Sequence, residues 1–313
     1  MRRFDSAVMN PTTNHSNRSE AFRLVRAAFR AVAPHWLNTA QRDFRNAVAS
    51  GKLKQALRLK VDARFGKYRC SACGRRVRRF SPIDSEFQHT LRDHGWQYQS
   101  SEAETFNPEN YLCPHCGATD RDRLYALYLA SYLPGVSSEG TFRITDFAPS
   151  QPLSDFIRKS AAGMSCMVSY VTADLLREDV DDRVDITDMK QYADGSMEFF
   201  ICSHVLEHVA DDKKAISELY RILKPGGQGI LVVPIILTVD EIDEDPRVTD
   251  PSERWRRFGQ DDHVRLYSKA GFLSRVREAG FTVRQLGSSH FGTETFRRHA
   301  IADRSVLYIV ERT

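Results

Sequence analysis

The 313-residue sequence contains no apolar run near the ~20 residues that a membrane-spanning helix needs. That argues against an integral helical membrane protein. It has no internal repeat and no low-complexity tract, so a solenoid or fibrous architecture is not expected. The basic start of MRRFDSAVMNPTTNHSNRSE is not followed by an apolar segment, so a secretory signal is not expected and the cytoplasm is. A Gly-x-Gly-x-x-Gly phosphate cradle is also missing, which leaves a nucleotide-phosphate site without support. What remains is a globular composition, 41% hydrophobic with mean hydropathy −0.46 and length enough for about two domains.

Acidic residues are scarce at the front. Residues 1–80 hold 4 Asp and Glu against 19 Lys and Arg, whereas the remainder holds 37 against 26. Such asymmetry suggests a polyanion or a membrane surface as a partner of the front, although solvated basic helix faces would give the same count. Residues 1–20 read as disordered. Helical spacing follows from Glu20 to Phe65, with Leu53, Leu57 and Val61 on one face and Lys54, Arg58 and Lys60 around it. These helices could lie on RNA or make peripheral membrane contact, or simply pack on a neighbouring domain.

Cysteine is sparse, but four of the six residues form two matching pairs: Cys70-Ser71-Ala72-Cys73-Gly74 and Cys113-Pro114-His115-Cys116-Gly117. Each has an aromatic or apolar lead-in and a glycine that frees the turn behind the second sulfur. Two such knuckles predict a closed, structural tetrahedral zinc site on Cys70, Cys73, Cys113 and Cys116. The 39 residues between the pairs exceed ordinary ribbon spacing and predict an inserted hairpin or loop. Cys166 and Cys202 sit in apolar strand patterns and read as core thiols.

From Phe142 onward, strand and helix patterns alternate. Strands are expected at 142–147, 166–171, 183–187, 198–203, 229–234, 281–287 and 305–311. Helices are expected at 120–133, 152–162, 211–223 and 268–279. The pattern predicts an α/β fold with a doubly wound, mostly parallel, seven-stranded sheet. The expected domains are a basic helical region over 1–65, a zinc-ribbon module over 66–120 and the α/β domain over 121–313.

The segment GSMEFFICSHVLEHVADDKKAISELYRILKPGGQGILVVP, residues 195–234, resembles the second half of a class I S-adenosylmethionine (SAM) dependent methyltransferase. The zinc-knuckle front and the Asp146-Phe147-Ala148-Pro149 turn resemble a branch of the methyltransferase type 11 group. That resemblance implies a Rossmann-like domain binding SAM at the carboxyl ends of its strands. Asp146, Phe147, Ala148 and Pro149 would then form the first turn, lacking the family's glycines. Asp174 and Leu175 would hold the ribose, Asp185 and Ile186 the adenine, and Ser203 and His204 would lie beside the sulfonium.

The resemblance also implies methyl transfer to a hydroxyl or amine of a small-molecule or glycan acceptor. Ribosomal RNA is the alternative, since some RNA guanine methyltransferases join a four-cysteine module to this fold. A non-catalytic zinc-dependent scaffold is a further one. His263 and His204 are the candidate catalytic residues. His263 belongs to Phe258-Gly259-Gln260-Asp261-Asp262-His263, in a long charged segment that covers the acceptor in related enzymes. His204-Val205-Leu206-Glu207-His208 also fits an inverted zinc-protease pattern, but His204 closes a strand and cannot share a helical face with the rest. The resemblance implies that Leu206-Glu207-His208-Val209 serves packing and loop structure, so Glu207 and His208 read mainly as structural. Oligomeric state is not legible.

Overall fold

The computed structural model describes residues 60–62, 64–137 and 140–313. The disordered tail and basic helices expected before residue 60 lie outside these residues. Asp62–Thr313 form one compact unit.

The chain enters through β1 (Tyr68–Arg69) and β2 (Arg76–Val77), an antiparallel pair flanking the first cysteine knuckle. The second knuckle copies the first. Gly74 and Gly117 take φ of 73° and 77° and donate to Cys70 and Cys113 carbonyls. A side chain would be strained at either position, which explains the glycine after each pair. Between the knuckles the chain makes an excursion closed by reciprocal backbone hydrogen bonds between Ser81 and Leu112. It carries α1 (Ser85–Asp93), capped by Asp84, in place of the simple hairpin or loop that the spacing suggested.

A capping box at Thr119 and Asp122 starts α2 (Asp120–Tyr132). Then follow β3 (Phe142–Phe147), α3 (Gln151–Ala161), β4 (Val168–Asp174), β5 (Asp182–Arg183), β6 (Met197–Ser203), α4 (Asp212–Ile222) and β7 (Leu223–Val232). Beyond them come β8 (Asp243–Glu244), α5 (Pro251–Phe258), β9 (Arg265–Leu266), α6 (Lys269–Glu278), β10 (Thr282–Leu286), α7 (Ser288–Phe291), α8 (Thr293–His299) and β11 (Leu307–Glu311).

The seven-stranded sheet runs β10-β11-β7-β6-β3-β4-β5. Its pairings are parallel except β10 with β11 and β11 with β7. Phe199 to Cys202 are buried on both faces of β6, as a central parallel strand requires. Buried clusters lie on both sides of the sheet.

Two elements depart from the expected pattern. The strand expected at 183–187 ends at Arg183 because Asp185 Oδ1 accepts hydrogen bonds from Thr187 N and Oγ1, at 2.8 Å each. That local turn competes with the sheet ladder. The Lys224–Gly227 break is instead part of β7, which shifts register against β6 between Met197 and Phe199. Gly229 is required there: a Cβ would lie 2.4 Å from the Phe200 ring.

Arg123 joins the knuckles to the larger layer. Fully buried, it donates to five backbone carbonyls, those of Asn110, Tyr111, Ala118, His299 and Ala300, at 2.6–3.2 Å. Its guanidinium also lies 3.8 Å over the Phe80 ring. One side chain thereby ties the second knuckle, α2 and the end of α8 together.

Candidate functional site

The sheet order changes direction at β3, which pairs with β4 on one side and β6 on the other. Ligands of doubly wound sheets bind at the carboxyl ends beside such a point. The first turn there has no glycine, yet it keeps a glycine's backbone. Ala148 takes φ 55° and donates its N–H to Ala173 O at 2.8 Å. A left-handed non-glycine residue is strained by about 1–2 kcal/mol. Ala148→Gly is therefore expected to raise stability by about 1 kcal/mol in denaturant unfolding. An unchanged or lowered midpoint would show that the turn is not strained.

Asp146 is buried at 2% exposure. Its carboxylate accepts the Tyr170 hydroxyl at 2.7 Å, and Tyr170 in turn lies 2.8 Å from Ser154 Oγ. Burial pushes the Asp146 carboxyl up to about 7 despite that hydrogen bond. Its side chain thus engages β4 and α3. Phe147 is buried in the core, and Pro149 O accepts from Arg177 Nη1 at 2.6 Å.

Asp174 spends Oδ1 on the amides of Leu176 and Arg177, and Leu175 beside it is 53% exposed. Asp185 is exposed and engaged by Thr187, which lowers its pKa, while Ile186 is buried. Asp146 and Asp174 lie at the ends of β3 and β4, and Asp185 lies two residues past β5, which runs parallel to β4. Ser203 Oγ pairs with the buried Tyr125 hydroxyl at 2.8 Å. Tyr125 was not singled out in the sequence because α2 read only as a helix.

His204 follows β6 with φ 56°. Arg121 Nη1 lies 2.7 Å from its Nδ1 and 2.5 Å from its Nε2. Burial, then the Arg121 charge, pushes its pKa down to about 4, so the imidazole is neutral at pH 7 and a weak base. Arg121 was also missed in the sequence.

His263 is 4% exposed. Its Nδ1 lies 2.9 Å from Phe258 O, which fixes the proton on that nitrogen, and burial lowers its pKa. Val264 N donates to Glu207 O at 2.8 Å, and Arg265 donates to the carbonyls of Leu206, Val209 and Ala210. This strap fixes His263 against the turn after β6. His204 and His263 therefore come together, although the sequence separates them widely.

Both line a cavity of about 360 Å³. Its walls are mostly apolar and aromatic. Phe87, Trp96, Tyr98, Phe106 and Tyr111 come from the excursion between the knuckles, and Ile236, Phe258 and Leu266 from the opposite side. No sequence signal marked the excursion's aromatics as lining residues, because they follow no helical or strand period. Glu104 also lines it but is fully engaged, accepting from Lys269 Nζ at 2.7 Å and Tyr308 OH at 2.6 Å.

The four knuckle sulfurs lie within 4.8 Å of one another, with Cys70–Cys116 at 3.8 Å and Cys73–Cys113 at 3.9 Å. These separations exclude disulfides. They match the edge of about 3.8 Å expected for a tetrahedron of sulfurs 2.3 Å from an ion. His115 contributes nothing to the cluster: its Nε2 faces Asp62 Oδ2 at 3.1 Å. The donors of neighbouring thiols pull the Cys113 pKa well down, while Cys70 is pushed up.

Residues 141–231, spanning β3 to β7, match the family model described as a methyltransferase domain. The human thiol S-methyltransferase TMT1B (Homo sapiens) is 48% identical over 40 residues, which is 13% of this chain and 16% of that protein. Among solved structures, an S-adenosylmethionine dependent methyltransferase from Mesorhizobium loti aligns at 15% identity and TM-score 0.39, covering 61% of this chain and 98% of its own. Phosphoethanolamine N-methyltransferase 2 of Haemonchus contortus aligns at 13% and 0.37, covering 63% and 53%. No residue role is carried across from these shallow alignments. The strand-helix-strand core from β3 to β7 is thus the part of this chain that matches a methyltransferase domain.

Proposed function

We propose that this enzyme transfers a methyl group from SAM to a hydroxyl, thiol or amine of a small, largely apolar acceptor. The cavity beside His204 carries this reading. Its volume falls in the range of small-ligand pockets, which are mostly apolar with a few placed polar groups. RNA is disfavoured as its occupant, because phosphates require a basic track and, among the described residues, Arg121 is the only Lys or Arg in the lining. A glycan fits these aromatic and aliphatic walls less well than an apolar molecule does. The matched segment in a thiol S-methyltransferase adds sulfur to the acceptor atoms worth testing.

SAM is proposed to lie along the strand ends, with Asp174 and Asp185 offering their remaining carboxylate oxygens and Ser203 and His204 closing the reactive end. Methyl transfer from a sulfonium needs an aligned acceptor more than a strong base. That suits a neutral His204. A structural zinc ion on Cys70, Cys73, Cys113 and Cys116 would hold the aromatic excursion in place; the sulfur tetrahedron supports it.

The test is release of S-adenosylhomocysteine with apolar thiols and phenols, compared with RNA and polysaccharide. Turnover is expected with the apolar set and not with the polymers. Turnover confined to RNA or polysaccharide would overturn the acceptor assignment.

A further inference from the structure

Beside the acceptor cavity, and sharing His263 with its lining, lies a group of ionisable side chains. Glu207 is fully buried, and neither carboxylate oxygen makes a hydrogen bond among the described residues. His204 Nδ1 approaches Oε1 to 3.2 Å, but without hydrogen-bond geometry. A buried carboxylate left without donors costs several kcal/mol. Facing it, His263 Nε2 is buried and unpartnered. With its proton held on Nδ1 by Phe258 O, His263 presents a lone pair at Nε2. His208 completes the group: its Nδ1 lies 3.2 Å from Asp262 Oδ2, and its ring meets His263 edge-on at 4.7 Å. One donor atom from each of Glu207, His208 and His263 falls within 4.8 Å of the others.

From this geometry we propose that Glu207, His208 and His263 bind a first-row divalent transition-metal ion, a second metal site distinct from the four cysteines. Three features fit. Two imidazoles and one carboxylate are a donor set that such ions prefer. Each histidine has an outer partner on Nδ1, Phe258 O or Asp262, of the kind that orients a ligating ring. A cation would also neutralise the buried carboxylate, whose one side-chain neighbour among the described ion pairs is His204, 3.2 Å away. The strap through Val264 and Arg265 fixes the distance between His263 and Glu207, so the donors are held before any ion arrives. His204 is not one of the three donors: its ring nitrogens lie against Arg121, and its Nδ1 sits 3.2 Å from Glu207 Oε1 as a neighbour of that carboxylate. The ligand set is therefore not that of the inverted protease pattern in the sequence; the second histidine comes from the strap. The inference rests on these side chains alone and not on the methyl-transfer reading.

The test uses the full chain, loaded with Zn²⁺, desalted, and analysed for bound zinc by mass spectrometry. E207Q, H208Q and H263Q are each expected to carry one zinc fewer per chain than the parent. Cobalt substitution separates the two sites: the four-cysteine ion gives intense thiolate-to-cobalt absorption, which the variants should keep. His208 has 34% of its side chain exposed, so H208Q is the variant expected to fold even if the buried ones do not. Circular dichroism checks this. Folded H208Q holding as much zinc as the parent would overturn the proposal.

Discussion

Stripping the zinc ion proposed at the four cysteines with a chelator is expected to dismantle the acceptor cavity while the seven-stranded sheet stays folded. A structural zinc site contributes on the order of 10 kcal/mol at neutral pH. Here the loss would fall on a particular region. The knuckles anchor both ends of the excursion, Cys73 before it and Cys113 after it, and that excursion supplies Phe87, Trp96, Tyr98, Phe106 and Tyr111 to the cavity. Arg123 would lose the carbonyls of Asn110, Tyr111 and Ala118 together, leaving a buried guanidinium with two of its five acceptors. The sheet core, in contrast, contains no knuckle cysteine. Trp96 stands 5.0 Å from Tyr98, and Trp255 stacks on His94. Both indoles should become more exposed, shifting fluorescence to the red, while far-ultraviolet circular dichroism changes little. Loss of the sheet signal together with the fluorescence change would mean that the knuckles and the sheet unfold as one.

Replacing Asp146 by asparagine should stabilise the protein at pH 8 and weaken SAM binding. Burial raises this carboxyl from an ordinary 3.8 to about 7. Between those values the native state holds a proton that the unfolded chain has lost. The native protein therefore loses stability as pH rises from about 4 to 7, and above 7 the full cost is present. Three pKa units correspond to roughly 4 kcal/mol as an upper limit. Asparagine removes that cost and can still accept from Tyr170. His204 and His299, both lowered to about 4, oppose this trend as pH falls, but they are common to both proteins and cancel in the difference. The gap in unfolding free energy between variant and parent should shrink from pH 8 towards pH 4. A gap independent of pH would contradict the account. SAM affinity should fall tenfold or more if the charge at the end of β3 serves the cofactor.

The sequence reading succeeded where one local signal dominates. The apolar run of β6 and the helical pattern over 211–223 placed strand then helix where the structure has them. The paired Cys-x-x-Cys-Gly turns placed four sulfurs together. It failed where tertiary contacts decide. Asp185 diverted its strand into a turn, and β7 absorbed two glycines through a register shift. Arg121 and Tyr125 reach the site only because the N-terminal part of α2 points there. The approach of His263 to Glu207 and His208 was not legible either, because His263 is distant in the chain and arrives through the Arg265 strap.

The most direct measurement is calorimetric titration of the purified full chain with SAM and with S-adenosylhomocysteine. One binding site per chain is expected for each ligand, with affinity lost in a variant carrying asparagine at both Asp174 and Asp185. No heat of binding from a folded, metal-loaded chain would contradict the account, and would mean that the glycine-free turn at Ala148 no longer admits the cofactor.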